Sequence, residues 1–175
     1  VTVESIQASN PFGYLLVPFE IWKASKFERS FVTSLGKKSF EEIAKIIAQG
    51  TGALAERQHT ECITLNSWQM EEIENIIRAQ RNSQTQPDWQ EETTRILDLN
   101  TPRVETINIR FDLYVRRNNG NEEYYSMKTV KPNLDQTAEA KRAMLQIKAA
   151  KADCTPYLAL PFNPAGNQPY RTIHT

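Results

Sequence analysis

Cysteine is scarce in this chain, and neither sign of charge is in excess. The 175 residues include two cysteines, and 21 basic residues balance 21 acidic ones. Cys62 and Cys154 are far apart in the sequence, which excludes a disulfide framework or a cysteine-based zinc site, and we expect both thiols to be reduced. His59 and Cys62 have the spacing of two metal ligands, but without a second pair, packing or exposure explains them better. Zero net charge excludes a protein coated in positive charge, so any nucleic-acid binding depends on local patches.

Long apolar runs are also absent. The stretch from Ile43 to Ala48 is interrupted by a lysine, and nothing resembles a signal peptide or the run of about 18 apolar residues that a membrane span needs. With 39% apolar residues, the length suits one domain with its own core. We therefore expect a single cytoplasmic domain over residues 1–175, mainly helical up to residue 105.

Helical patterns dominate this first half. Ser25 begins a segment with apolar residues spaced every four positions, which Gly36 ends. Ser39 and Glu42 form a capping-box pattern ahead of a second helix that stops at Gly50. A third helix is predicted from Ser67 to Arg81, with Met70, Ile73 and Ile77 toward the core, and residues 82–88 form a polar loop.

From Thr106 the period changes to two, which predicts a β-hairpin. The residues expected on one apolar face are Ile107, Ile109, Phe111, Leu113 and Val115, with Asp112 and Tyr114 on the other. A second strand is predicted from Glu122 to Val130, after an Asn-Asn-Gly turn.

The loop length decides which residues of the hairpin are paired. A two-residue turn places Asp112 opposite Met127, away from Lys128. A three-residue loop, with Gly120 in a left-handed conformation, pairs Asp112 with Ser126 and Arg110 with Lys128. Only the second register gathers the polar groups on one face and the apolar groups on the other, so it is favoured.

An amphipathic helix is predicted after the hairpin, from Asp135 to Lys151, followed by a short strand from Tyr157 to Leu160. Lys141, Lys148 and Lys151 are expected on the outer face of this helix. A strand, helix and strand in series imply a parallel crossover. The fold class is therefore α/β, with a mixed central sheet and a hairpin flanked by helices.

Asp112 and Lys128 together suggest phosphodiester chemistry. A carboxylate is a hard ligand for a divalent cation, which activates water and stabilises the charge on phosphorus. A lysine facing the same way stabilises the developing negative charge. The alternative is a cross-strand surface ion pair, which contributes little.

These residues resemble a known family. Phe111-Asp112 on one strand, and Tyr125 to Asn133 with its Lys-Thr-Val-Lys-Pro-Asn turn on the next, are similar to the PD-(D/E)xK nuclease core, most closely that of TdeIII-like type II restriction endonucleases. The segments Phe31–Lys38 and Pro161–Pro164 look similar too, so the resemblance spans roughly residues 25–165. It implies an Mg²⁺-dependent endonuclease that cuts double-stranded DNA at a short site.

One position departs from the family pattern, because Ser126 stands where a glutamate that binds metal is usual. Some relatives in the wider superfamily carry Ser-x-Lys and recruit a carboxylate from the next helix, where Glu139 is the first candidate and Asp135 a weaker one. Glu42 is a further acidic candidate, although its place in the capping box already accounts for it. The alternative is that the site has lost its activity.

DNA contact is expected from the turn and the basic helix that follow the hairpin. The candidates are Lys131, Asn133, Lys141 and Lys148; for the lysines the alternative is a solvated surface. A two-fold target favours a homodimer. Two rival functions remain, a non-catalytic DNA-binding relic of the fold and a protein-interaction module. The end of the sequence, Tyr170 to Thr175, reads as the approach to another element that carries dimer or DNA contacts.

Overall fold

A computed structural model describes residues 39–128 and 132–160, together with residues 20, 21, 23, 24 and 27. The chain divides into two compact units, residues 1–39 and 40–175. The five positions described before residue 39 are helical. The rest of the predicted helix from Ser25 to Gly36 lies outside the described residues, as do Lys131 and the segment Pro161–Pro164.

Helices and strands alternate irregularly along the second unit. In chain order its described elements are α1 (Phe40–Gly50), β1 (Leu54–Asn66), α2 (Ser67–Arg81), α3 (Trp89–Leu97), β2 (Val104–Arg116), β3 (Glu122–Met127), α4 (Leu134–Ala150) and β4 (Thr155–Ala159). None of the helices among these residues is long and apolar enough to cross a membrane.

The four strands form one mixed sheet in the order β1-β2-β3-β4. β1 is antiparallel to β2, β2 is antiparallel to β3, and β3 is parallel to β4 with α4 as the crossover. The predicted α/β class with a mixed sheet and a parallel crossover is confirmed. The first half is less helical than predicted, because β1 is a strand of 13 residues inside it.

Two apolar clusters cover the two faces of the sheet. The larger contains Phe111, Tyr114 and Tyr124 with isoleucines and leucines of α2, α3 and α4. The smaller contains Leu113 and Val115 with alanines of β1 and α1. Because Leu113 and Tyr114 are adjacent yet belong to different clusters, the clusters lie on opposite faces.

The hairpin has the register that the three-residue loop predicts. Leu113 pairs with Tyr125 and Arg116 with Glu122. The Gly120 amide donates to the Arg117 carbonyl at 2.9 Å, and the Arg117 amide donates to the Asn121 carbonyl at 2.8 Å. Gly120 has φ +89°, a conformation that glycine adopts without steric cost. The pairs end at Leu113 and Tyr125, so Asp112 and Ser126 are the next positions in the same register.

Helices α2 and α4 are close to their predictions. α2 has the predicted bounds, with Asn66 as its N-cap, and α4 begins one residue before the prediction, with Asn133 as its N-cap. Several strand boundaries were wrong, including both ends of β4, which covers Thr155–Ala159 rather than Tyr157 to Leu160. β2 begins at Val104 rather than Thr106, and β3 ends at Met127, so Lys128 lies beyond the strand predicted to contain it.

Candidate active site

The alternation of β2 is interrupted at Asp112. Phe111 and Tyr114 both pack against the Tyr124 ring, with centroids 5.0 and 5.1 Å away, so they share a face although they are three residues apart. Leu113 lies on the other face. The prediction that Phe111 and Leu113 share a face was therefore wrong, because the strand changes face between them.

The neighbouring strand carries the matching defect. β1 and β2 are paired from Leu54 with Arg116 to Asn66 with Val104, except where Gln58 lies opposite Asp112. Gln58 has φ +53°, which is unusual for a residue with a side chain. Strained residues of this kind are common at active sites. The defect turns the Asp112 side chain out of the regular alternation.

Both oxygens of the Asp112 carboxylate have a hydrogen-bond donor. The Met127 amide donates to Oδ2 at 2.6 Å, and the Gln58 side-chain amide donates to Oδ1 at 3.4 Å. The carboxylate is half-buried. The pairing of β2 and β3 therefore gives way to a side-chain contact at the position where the sequence predicts a metal ligand.

Two glutamates of α1 lie next to this defect, across β1. Arg57, which pairs with Leu113, binds the Glu42 carboxylate at 2.5 Å and the Glu41 carboxylate at 3.2 Å. Glu41 is only 3% exposed. The structure thus places the Glu42 carboxylate on Arg57, the residue that precedes Gln58 in β1.

Ser126 lies near the end of β3, the strand that pairs with the Asp112 strand, and Lys128 lies just after it. Ser126 is buried with 6% exposure, and Lys128 is half-buried. The Lys128 amide donates to the Ala159 carbonyl of β4 at 3.0 Å, which fixes its backbone just past β3. Within residues 39–128 and 132–160 no salt bridge of Lys128 is found, so its ammonium group has no carboxylate partner there.

The lysines of α4 do not form the solvated stripe that the sequence predicts. Lys141 is 5% exposed and binds the buried Glu92 at 2.6 Å. Lys148 donates to the carbonyls of Ala152 and Cys154 at 2.5 and 2.9 Å. The outward orientation of Lys141 was therefore wrong, because a buried carboxylate on α3 attracts it inward.

Lys151 belongs to a polar network on the face of the larger cluster. Its ammonium lies 2.9 Å from Glu61, 3.1 Å from Glu122 and 2.8 Å from the Tyr124 hydroxyl. Burial alone would lower the pKa of Lys151, but these hydrogen bonds outweigh it and raise the pKa. Lys151 is therefore charged and engaged within the fold.

The other predicted acidic and turn residues have ordinary surface roles. Glu139 is exposed on α4, and Asp135, also exposed, pairs with Arg81 of α2. The exposed Asn133 caps α4 by accepting the Gln136 amide at 2.8 Å. Among the described residues no three histidine, cysteine, aspartate or glutamate side chains are grouped as a metal site would be.

Sequence reasoning missed three residues of this neighbourhood: Gln58, Arg57 and Glu41. All three depend on β1, which was not predicted. A signal for Gln58 was absent, since only the three-dimensional pairing places it opposite Asp112. The run of two glutamates at the start of α1 was visible, but its partner arginine was not.

Comparison with known proteins gives a family match and several relatives. The family model for the type II restriction endonuclease HinfI matches residues 2–174. The chain is 33% identical over 163 residues to the type II restriction enzyme HgiCII of Herpetosiphon aurantiacus, covering 89% of this chain and 59% of that protein. It is 30% identical over 175 residues to the type II restriction enzyme HgiEI of the same organism, covering 94% and 63%. The chain thus spans about three fifths of the length of these relatives. No solved structure matches.

Proposed function

This chain belongs to the HinfI family of type II restriction endonucleases, and we propose that the protein cleaves both strands of DNA at a short specific site by metal-dependent hydrolysis. The relatives it matches bear the name of type II restriction enzymes, in accord with the resemblance seen in the sequence. The finer likeness to TdeIII-like enzymes stays a prediction.

The observation that carries the proposal is the half-buried Asp112, whose carboxylate lies at a break in the sheet. Both of its oxygens are oriented by hydrogen bonds from Met127 and Gln58. Lys128 follows directly after Met127, and its ammonium group has no salt-bridge partner among the described residues. An oriented carboxylate and an adjacent cation are what hydrolysis of a phosphodiester requires.

Type II restriction enzymes generally use divalent metal ions, and we propose Mg²⁺ here. Mg²⁺ is bound by one or two carboxylates together with waters and substrate phosphates, so it does not need a complete cage of protein ligands. The hard oxygens of Asp112 fit that requirement, each having a lone pair beyond the one used in its hydrogen bond. The metal would supply an activated water and neutralise charge on the phosphate. Lys128 would hold its ammonium group against a phosphate oxygen.

The first prediction tests this assignment directly. Asp112→Asn and Lys128→Ala should each lower Mg²⁺-dependent cleavage of plasmid DNA by about a hundredfold or more, because several kcal/mol of transition-state stabilisation are lost. Arg78→Met, an exposed change on α2, is the matched control and should cleave like the wild type. Wild-type rates in both Asp112→Asn and Lys128→Ala would remove the enzymatic proposal.

The second prediction concerns the carboxylate that is absent at position 126. If Glu139 supplies it, Glu139→Ala lowers cleavage, and Ser126→Glu in that background partly restores it because the number of carboxylates is restored. We also expect Glu42→Gln to lower cleavage, since the Glu42 carboxylate binds Arg57, next to the defect at Gln58 and Asp112. If instead wild-type protein is inert and Ser126→Glu alone activates it, the protein is a DNA-binding relic of the fold.

We further propose that the protein acts as a homodimer, since a two-fold target is matched by two-fold protein symmetry. Lys131, Asn133 and Lys148 remain proposed DNA contacts, and Lys141 is the weakest of the original four because it is buried. Sedimentation of the protein with a DNA fragment that carries its mapped site should give two protein chains per duplex.

A further inference from the structure

We propose that Gln58 is a positioning residue for the Asp112 carboxylate. This inference rests on the proposed function, because it assigns to Gln58 the task of orienting the metal-binding group. Gln58 Nε2 donates to Asp112 Oδ1 at 3.4 Å, while the Met127 amide donates to Oδ2 at 2.6 Å. A carboxylate held by one oxygen rotates about the Cβ–Cγ bond. The second hydrogen bond fixes its plane, and of the two donors only Gln58 uses a side chain.

The backbone at Gln58 supports a functional reason for this residue. Its φ of +53° is unfavourable for a residue with a Cβ atom and favourable for glycine. If the position served only to break the strand pairing, glycine or asparagine would fit it better. A glutamine there keeps an amide long enough to reach across to Asp112, at the expense of backbone conformation.

Contacts on both sides of Gln58 hold the defect in place. Arg57 is tied to Glu41 and Glu42 of α1 on one face of the sheet. His59 stacks on Tyr114 on the other face, with ring centroids 4.5 Å apart. Because consecutive residues are anchored to opposite faces, the backbone between them cannot relax into regular pairing without breaking one set of contacts.

Two variants separate positioning from a structural role. Gln58→Gly removes the amide and relieves the backbone, so its melting temperature should equal or exceed that of the wild type. Gln58→Glu keeps the size of the side chain but at neutral pH cannot donate to Asp112. The assays use the full-length protein with a DNA fragment that contains its mapped site, and they measure kcat, KM and the Mg²⁺ concentration for half-maximal rate.

We expect Gln58→Gly to lower kcat by about ten- to a hundredfold and to raise the Mg²⁺ requirement, with KM for DNA within about twofold of the wild type, since misplacement of a reacting group by about 1 Å has effects of this size. For Gln58→Glu at neutral pH we expect a similar loss of kcat, again with KM for DNA within about twofold of the wild type, because an ionised carboxylate has no hydrogen to donate to Asp112.

Asp112→Asn is the reference for the proposed function. If Asp112→Asn abolishes cleavage while Gln58→Gly and Gln58→Glu both keep the wild-type kcat, the positioning role is overturned and the nuclease assignment stands. If Asp112→Asn itself cleaves normally, the proposed function fails first. Should Gln58→Gly melt well below the wild type, Gln58→Glu decides alone, and a wild-type kcat in that variant overturns the inference.

Discussion

His59 is the single residue whose protonation is most directly coupled to the fold. Its two ring nitrogens lie 2.9 Å from a Glu56 oxygen and 2.8 Å from a Glu61 oxygen. Since a carboxylate only accepts hydrogen bonds, both contacts are satisfied together by the doubly protonated imidazolium. Burial alone would lower the pKa of His59, but the bonds to Glu61 and Glu56 outweigh it and raise the pKa above 6.5.

Stability should therefore decrease as the pH rises through this raised pKa. A folded-state pKa above the unfolded value means that the contribution is complete below the unfolded pKa and is lost above the folded one. We expect the melting temperature to fall as the pH rises from 6.5 through the raised pKa of His59, and His59→Gln to remove that part of the slope. His174→Gln, which replaces the second histidine of the sequence, is the comparison variant. A slope that His59→Gln leaves unchanged would assign it to another group.

The contribution of Glu61 to stability changes with pH in the opposite direction to that of His59. Burial would raise the pKa of Glu61, but hydrogen bonds from His59, Lys151 and Tyr124 outweigh it and lower the pKa below 4.5. Its contribution is present above pH 4.5 and is lost as the pH falls through the lowered value. His59 and Glu61 together therefore favour maximal stability in mildly acidic solution.

Among the elements, three helices are joined by one buried polar contact. Lys141 of α4 binds Glu92 of α3 at 2.6 Å, and the Gln80 side chain of α2 donates to the same carboxylate at 2.5 Å. Lys141 also lies over the Trp89 ring, 5.6 Å from its centroid. Lys141 and Glu92 are each about 5% exposed, so removing one of them leaves the other buried without its opposite charge.

Lys141→Met should destabilise the protein by about 3–5 kcal/mol, because it leaves the buried Glu92 carboxylate without an opposite charge. The double change Lys141→Met with Glu92→Gln should recover much of this loss, since a neutral amide still bonds Gln80. Arg78→Met on the exposed face of α2 should stay within about 0.5 kcal/mol of the wild type. Urea unfolding measures all three. A loss of under about 1 kcal/mol in Lys141→Met would return Lys141 to the solvated surface.

At the scale of elements the sequence was most informative where local patterns decide the structure. The bounds of α2, the start of α4 and the hairpin register follow from capping residues, helical periodicity and the Asn-Asn-Gly turn. β1 was missed because its polar residues, Arg57 and Glu61 among them, bind partners that are distant in sequence. α3 has only nine residues, too few for a clear periodic pattern.

The residues of the candidate site likewise divide into those that a local sequence pattern reveals and those that depend on strand pairing. Asp112 and Lys128 were identified from their types and spacing, whereas Gln58 and Glu41 enter only through the pairing of β1 with β2. The face change at Asp112 was hidden, because the apolar residues from Ile107 to Val115 alternate without a break in the sequence. Tyr114 was expected on the polar face of β2, but its ring packs into the larger cluster. This packing stabilises the strand after the change of face.

For the molecule as a whole, the family match covers residues 2–174, whereas the described sheet and helices cover residues 40–159. Within this unit a sheet four strands wide has apolar clusters on both faces. The defect at Asp112 lies where the strand passes from one cluster to the other, so neither cluster alone positions this residue.

The face change in β2 also determines how mutations combine across the molecule. Phe111 and Leu113 would share a face in a regular strand, but here they belong to separate clusters. A double-mutant cycle of Phe111→Leu with Leu113→Val should therefore give additive losses of stability, with a coupling energy below about 0.5 kcal/mol. Phe111→Leu with Tyr124→Leu, whose rings are in contact, should show a larger coupling. Equal coupling in both cycles would mean that the two clusters behave as one. Additivity would mean that the residues before and after Asp112 can vary independently of each other. Asp112 would then be the position at which the two apolar clusters meet.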